Sequence, residues 1–328
     1  MRQLSSSLTN QSQVAQARRE AIHLAEHAGF NESCVDKVAD LATELATNLL
    51  KHAIAGQLLT RVSEYDGQTS FEFISLDRGP GIANISKCST GDYSTDGSLG
   101  TGLGAIARIA DHFDSYSHPK KGTVAVARIV LSRVGPTIGV VHQAKQGESI
   151  SGDAWLVKAY DGQTLCVVAD GLGHGLLAAT AANAVIDSLK LLPSLKSPSD
   201  MIEVAHQAAK ATVGAAVGIA ILDHNAQGVR FAGVGNISTT VVSSEIRHHL
   251  VSYDGIVGHY YRKVMECTQP WSKESIFVMH SDGLTARWDL NDYPGLGTKD
   301  PSLIAGLLYR DFSRPHDDTT VIILKNAA

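Results

Sequence analysis

Cysteine is scarce: Cys34, Cys88, Cys166 and Cys267 are scattered over 328 residues and form no CxxC pair. They read as reduced, mostly structural thiols in a cytoplasmic protein. No stretch reaches the roughly 18 uninterrupted apolar residues of a membrane helix. Met1 to Gln16, rich in Ser, Gln and Asn, lacks the apolar core of a signal peptide or anchor. Basic runs are missing too, and the net charge is -5, so neither nucleic acid nor membrane is expected as a partner. What is present is a globular composition, 44% hydrophobic and 19% charged, with length enough for two domains that each bury a core.

The chain is organised around Cys166-Val167-Val168-Ala169-Asp170-Gly171-Leu172-Gly173-His174-Gly175. The apolar run reads as a buried strand and 176 to 192 as a helix, so Asp170 is offered at a strand's end before a glycine-rich turn. Such a turn brings backbone close to an ion, and the Gly171 carbonyl is a candidate oxygen ligand. A tight turn with a solvated Asp is the plain alternative for this stretch alone.

In the first half, 14 to 28 reads as a helix stopped by Gly29, and Asn31 or Ser33 as the cap of a second helix reaching about Ala55. Val35, Val38, Ala42, Leu45, Ala46 and Leu49 form its core face, while Glu44, Asn48 and His52 stack on another face. Strands 58 to 65 and 69 to 76 form a hairpin around Asp66-Gly67 and deliver Asp77-Arg78-Gly79-Pro80-Gly81. After a polar segment, Gly100-Thr101-Gly102-Leu103-Gly104 opens a helix, a setting in which free N–H groups receive phosphate.

In order and spacing, Glu44-x3-Asn48, Asp77-x-Gly79-x-Gly81 and Gly100-x-Gly102-x-Gly104 resemble the N, G1 and G2 boxes of the GHKL ATPases. The segment 42 to 53 resembles their anti-sigma-factor and stress-module serine kinases, and the resemblance covers about 15 to 133. It implies ATP with Mg2+ as cofactor. Asn48 would hold magnesium, Asp77 the adenine amino group, and Gly100, Thr101, Gly102, Leu103 and Gly104 the phosphates. Glu44 would be the base, and 82 to 99 a lid. Phosphoryl transfer asks for such positioning and charge neutralisation.

Gly135-Pro136 punctuates the chain, which places a boundary near Val134 and domains at 1-134 and 135-328. The second half contains four places where a carboxylate meets a strand edge: Asp153, Asp170, Asp282 and Asp317-Asp318. Oxygen ligands without a Cys or His set favour Mg2+ or Mn2+ over zinc. Clustered carboxylates repel, and two divalent cations relieve this.

Ser151-Gly152-Asp153, Ala169-Asp170-Gly171-Leu172-Gly173-His174-Gly175, Ser281-Asp282-Gly283-Leu284 and Asp317-Asp318-Thr319-Thr320 resemble the PPM-type serine/threonine phosphatases of the stage II sporulation protein E class, over about 136 to 328. The resemblance implies two Mn2+ or Mg2+ ions, with Asp153, Asp170, Asp282 and Asp317 as ligands and Gly171 adding its carbonyl. Asp318 falls where relatives often have Asn and is taken as a neighbour. The first motif departs from Gly-Gly-Asp-x-x-Asp, since Ser151 replaces a glycine and Trp155-Leu156 stand where a second acid might lie. His174 reads as structural, packing on or capping the next helix.

The expected fold class is α+β, with a GHKL α/β two-layer sandwich followed by a β-sandwich flanked by helices. The expected function is a bifunctional regulator, and the two resemblances together imply a partner-switching pathway in which kinase and phosphatase act on one STAS-type anti-sigma antagonist. A sigma factor is a further candidate partner, and homodimerisation is left open. The alternative is a phosphatase whose first half binds ATP and a partner without transferring phosphate.

Overall fold

The computed structural model describes residues 3–82, 85, 102–131, 138–243 and 246–325. The chain divides into two compact units, Met1–Gly135 with Asp292–Arg310, and Pro136–Asn291 with Asp311–Ala328. The expected boundary near Val134 lies outside the described residues.

Unit one contains β1 (Gln3–Ser7), α1 (Gln11–His27), α2 (Glu32–His52), β2 (Gln57–Tyr65), β3 (Gln68–Leu76), α3 (Leu103–Ile109), β4 (His112–His118) and β5 (Gly122–Val130). The strands form one antiparallel sheet in the order β1-β2-β3-β5-β4. The Ser-rich start supplies β1, and Asn10 then caps α1 in a reciprocal box with Gln13. Asn31 caps α2 by accepting from Cys34 N. Asp66 and Gly67 both have positive φ, 51° and 72°, as a two-residue type I′ hairpin requires. Strand alternation sends Phe71, Phe73, Ala127 and Ile129 towards Leu41, Leu45 and Leu49 of α2, making the helix–sheet core.

Unit two contains β6 (Ile138–Gln143), β7 (Asp153–Tyr160), β8 (Gln163–Gly171), α4 (Gly175–Lys190), α5 (Pro198–Ala209), β9 (Ala215–Asp223), β10 (Gly228–Val234), β11 (Ser238–Ser243), β12 (Ile246–Leu250), β13 (Cys267–Pro270), β14 (Ile276–His280) and β15 (Thr319–Lys325). One five-stranded sheet runs β13-β10-β9-β8-β7 and the other β12-β11-β14-β15-β6. Leu165, Val167 and Ala169 of β8 face α4 and α5, packing on Val185, Ile186, Leu189, Met201 and Ile202. The two sheets form the expected β-sandwich, with α4 and α5 covering the outer face of the first. Among the described residues, no helix is long and apolar enough to cross a membrane.

The last helix, α6 (Pro301–Phe312), belongs to unit one up to Arg310. It lies on the sheet face opposite α2, where a Cβ added to Gly306 would stand 2.7 Å from Ile74 Cγ2. On that face Arg61, Glu72, Arg128 and His112 are cross-strand neighbours on four successive strands, β2, β3, β5 and β4. Glu72 is buried and accepts from Arg61 Nε (2.7 Å), Arg128 Nε (2.6 Å) and Ser302 Oγ (2.7 Å). Asp300 receives both terminal nitrogens of Arg128 at 2.6 Å each. Arg61, Glu72 and Arg128 of this row are thereby buried, with Glu72 paired to both arginines, while His112 stays exposed at the edge strand.

Candidate active sites

In β8 the residues Leu165, Val167 and Ala169 point to the helices, so Asp170 falls on the opposite face with Cys166 and Val168. The same alternation applies to β7, where Ala154 and Leu156 join the helix-side core and Asp153 does not. Asp153 pairs directly with Asp170 across the two strands. Both carboxylates therefore look towards the second sheet. There, Ser281 N bonds Thr320 O (3.0 Å), holding together the ends of β14 and β15 that carry Asp282 and Asp317-Asp318.

Asp153 is only 3% exposed. Its Oδ2 accepts from Ser281 Oγ (2.7 Å) and Thr320 Oγ1 (2.8 Å), while Oδ1 is buried with no hydrogen-bond partner. Burial, followed by the charges of Asp153, Asp282, Asp317 and Asp318, pushes the Asp170 carboxyl well above its ordinary range. Burial also raises Asp153, against the two hydroxyls that favour its charged form. Asp317 is raised by burial and then by Asp282, with which it shares a hydrogen bond. An orphaned carboxylate oxygen within a self-repelling acidic cluster fits divalent cations: positive charge would satisfy the oxygen and relieve the repulsion. Among the described residues no three or more Asp, Glu, His or Cys side chains are already drawn up around one ion position.

The roles of several supporting residues had no signal in the sequence: Ser281 and Thr320 stand within quoted motifs without a role of their own, and Asn236 lies outside all of them. Ser281 and Thr320 orient Asp153, and Asn236 Nδ2 donates to Asp282 Oδ2 at 2.7 Å. Asp318 is buried and accepts from Lys145 N and Gly152 N, both at 2.9 Å, which ties the first motif to the last. Gly171 and Gly283 are required by close approach: an added Cβ would stand 2.0 Å from Ala178 O and 1.8 Å from Asp318 O, respectively. His174 makes no side-chain cap of α4; its Nδ1 meets Glu148 Oε1 at 3.0 Å on the surface. The expectation of a capping role is corrected accordingly.

In unit one, Glu44 and Asn48 lie half-buried one turn apart on α2. Gly102 is adjacent, since a Cβ on it would lie 3.9 Å from Asn48 Oδ1. Leu103 and Gly104 follow at the start of α3, whereas Gly100, Thr101 and most of the 82 to 99 segment lie outside the described residues. Asp77 follows β3, with Oδ1 accepting from Gly79 N and Oδ2 from Thr123 N (3.1 Å). Gly81 has φ 75° and packs its Cα against the His118 carbonyl, where a Cβ would reach 2.4 Å. The structure thus brings the helix with Glu44 and Asn48 beside the Gly102 turn, and fixes both Asp77 oxygens from its own backbone.

Residues 160–326 match the family model of Stage II sporulation protein E. The chain belongs to that family. Its first half, residues 8–129, matches the histidine kinase-like ATPase domain, so a GHKL-type unit is fused to a PPM-type phosphatase unit. The second unit is thus of the protein serine/threonine phosphatase class and the first is kinase-like. Among curated proteins, the phosphoserine phosphatase RsbX of Bacillus subtilis (strain 168) is 32% identical over 141 residues, 43% of this chain and 70% of that protein. The serine/threonine-protein kinase RsbT of the same organism is 31% identical over 110 residues, 34% of this chain and 83% of that protein. A crystal structure of RsbX in complex with magnesium superposes with a TM-score of 0.51 at 27% identity, covering 59% of this chain and 98% of that one.

Proposed function

We propose that this fusion member of the family is a partner-switching regulator whose two units act in opposite directions on one phosphoprotein. Unit two removes phosphate from phosphoserine or phosphothreonine, and unit one places phosphate on serine from ATP. The observation that carries the phosphatase half is the facing pair Asp153 and Asp170, one with an orphaned buried oxygen, at a strand end that also gathers Asp282 and Asp317. The kinase half is supported by the proximity of Gly102 to Asn48 and by the similarity to RsbT.

Asp153, Asp170, Asp282, Asp317 and the Gly171 carbonyl would hold two Mn2+ or Mg2+ ions, which supply Lewis acidity to the phosphoester when bound. The chain's own contribution is orientation. Ser281 and Thr320 fix one oxygen of Asp153 and leave the other for a cation; Asn236 does the same for Asp282. In unit one, Asn48 would hold Mg2+, Asp77 would accept from the adenine amino group, and Gly79 and Gly81 shape that turn. Gly100, Thr101, Gly102, Leu103 and Gly104 would receive the phosphates. Glu44, four residues before Asn48 on the same helix face, would take the proton from the attacking serine hydroxyl. The shared substrate we assign is a STAS-type anti-sigma antagonist, in the cytoplasm.

The test uses full-length Asp282→Ala protein, so that phosphate once transferred is not removed. Labelled ATP and Mg2+ are added with a purified STAS-domain antagonist, followed by wild-type protein with Mn2+. The expected result is a labelled band that needs Glu44 and disappears on adding wild type. Binding of ATP without a band, together with hydrolysis of the pre-phosphorylated antagonist, would reduce unit one to a binding module. No hydrolysis of that phosphoprotein would overturn the shared-substrate reading.

A further inference from the structure

Asp77 sits in a turn whose backbone is held from several directions. Its N–H donates to Thr123 O (3.0 Å), and the next N–H, from Arg78, donates to Ile54 O at the end of the α2 segment (3.0 Å). Gly122 lies against it so closely that a Cβ there would come 2.1 Å from the Asp77 carbonyl oxygen. That carbonyl also accepts a hydrogen bond from Arg310 Nη1 at 2.9 Å, and the Arg78 guanidinium bonds back to the Arg310 carbonyl. Arg310 is buried, at the end of the Asp292–Arg310 segment of unit one. It stands 233 positions beyond Asp77, inside the span matched by the phosphatase family model.

The helix reaches this turn because both of its ends suit the sheet. Asp300 and Ser302 anchor its start on Arg128 and Glu72, and Gly306 lets its middle settle on Ile74, Leu76 and Val124. Arg310 is then carried to the Asp77 peptide.

We propose that Arg310 is a positioning residue for base recognition by Asp77, so that the nucleotide site of unit one is completed by a residue from the phosphatase stretch of the sequence. The proposal rests on the reading of unit one as an adenine-nucleotide site. Both Asp77 oxygens accept from backbone N–H groups, those of Gly79 and Thr123, so the carboxylate is locked to the main chain of this turn and a shift of the Asp77 peptide against those donors re-aims the lone pairs left for a base. A guanidinium bonded to that residue's carbonyl sets the tilt of its peptide. Recognition of a planar base edge depends on such tilt, because hydrogen bonds weaken steeply as they bend.

The experiment measures binding of a fluorescent ADP analogue to the full-length protein with Mg2+, and its displacement by ADP and by GDP. In Arg310→Ala the ADP affinity is expected to fall about tenfold, a loss of about 1.4 kcal/mol. GDP affinity should change less than about threefold, so that the preference for adenine collapses. Arg310→Lys should recover part of the preference, and Tyr309→Phe, on the same helix, none of the defect. Because Arg310 is buried, the exposed Arg78→Ala is the second variant; it opens the same clasp from outside and should lower the ADP-over-GDP ratio in the same direction. An unchanged ratio in both Arg310→Ala and Arg78→Ala, or an equal fall for ADP and GDP, overturns the positioning role. If Arg310→Ala does not fold, Arg78→Ala alone decides. A wild type that binds no ADP overturns the nucleotide reading itself, an outcome distinct from the other two.

Discussion

Asp300→Ala probes the charge network that joins α6 to the sheet of unit one. Asp300 takes both terminal nitrogens of Arg128, faces His112 Nε2 at 3.0 Å and caps its own helix by accepting from Ser302 N at 2.8 Å. Breaking a buried pair from one side costs about 3–5 kcal/mol, because the remaining charge is left desolvated. Arg128 would keep Glu72 and Ser302, which places the loss near the lower end, about 3 kcal/mol, or about 6–12 °C in melting temperature for a unit of this size. Scanning calorimetry of the full chain, resolved into two transitions, should show one lowered and the other unmoved. The effect should also depend on pH. Burial opposes the charge on Asp300, but the Arg128 guanidinium overrules it and holds the carboxyl well below the usual carboxylate range. A group whose folded pKa is depressed contributes its full stability above its unfolded pKa, about 3.9, and loses it as pH falls below that value. The gap between wild type and variant should therefore narrow from about pH 4 downward. A loss under about 1 kcal/mol at pH 7, or an equal gap at pH 3 and pH 7, would refute the reasoning.

Asp170→Asn puts a neutral amide where burial and the acidic neighbours keep the carboxyl from ionising, so the metal-free protein should gain at least about 1 kcal/mol by urea unfolding at pH 7 and show no added stability with Mn2+. A metal-free variant less stable than wild type would contradict the repulsion argument. Asn236→Ala frees Asp282 from its orienting amide and should weaken Mn2+ binding about tenfold by calorimetry, with unit one unaffected. Gly283→Ala forces a methyl against the Asp318 carbonyl and should cost about 3 kcal/mol, read as a lowered thermal transition for unit two. A wild-type transition there would mean that the β14 and β15 ends are looser than drawn.

Much of the site was legible as residue type and order. Asp153, Asp170, Asp282 and Asp317 stand out because each is a carboxylate at the end of an apolar strand, and alternation along β7 and β8 then decides which face the first two share. The hairpin at Asp66-Gly67 and the cap at Asn31 were readable for the same reason: their chemistry is satisfied within a few residues. The partners that hold the carboxylates were not. Ser281 and Thr320 lie 128 and 167 positions from Asp153, and no local pattern distinguishes a hydroxyl that will meet a buried carboxylate from one that will meet water. The strand β4, His-Phe-Asp-Ser-Tyr-Ser-His, escaped reading because it is a polar edge strand whose place depends on β5 beside it.

The sequence by itself determined the motifs that carry the two family resemblances, since strand ends, glycine turns and a helix bearing Glu44 and Asn48 are local facts. Only the tertiary structure decided what Glu72, Arg128, Asp300 and Arg310 do. In sequence they are ordinary charges of the kind that face solvent. Folding brings a helix from the far end of the chain across the sheet face that carries Glu72 and Arg128, and burial turns those charges into an obligatory network, because a charge removed from water must find its partner within the protein.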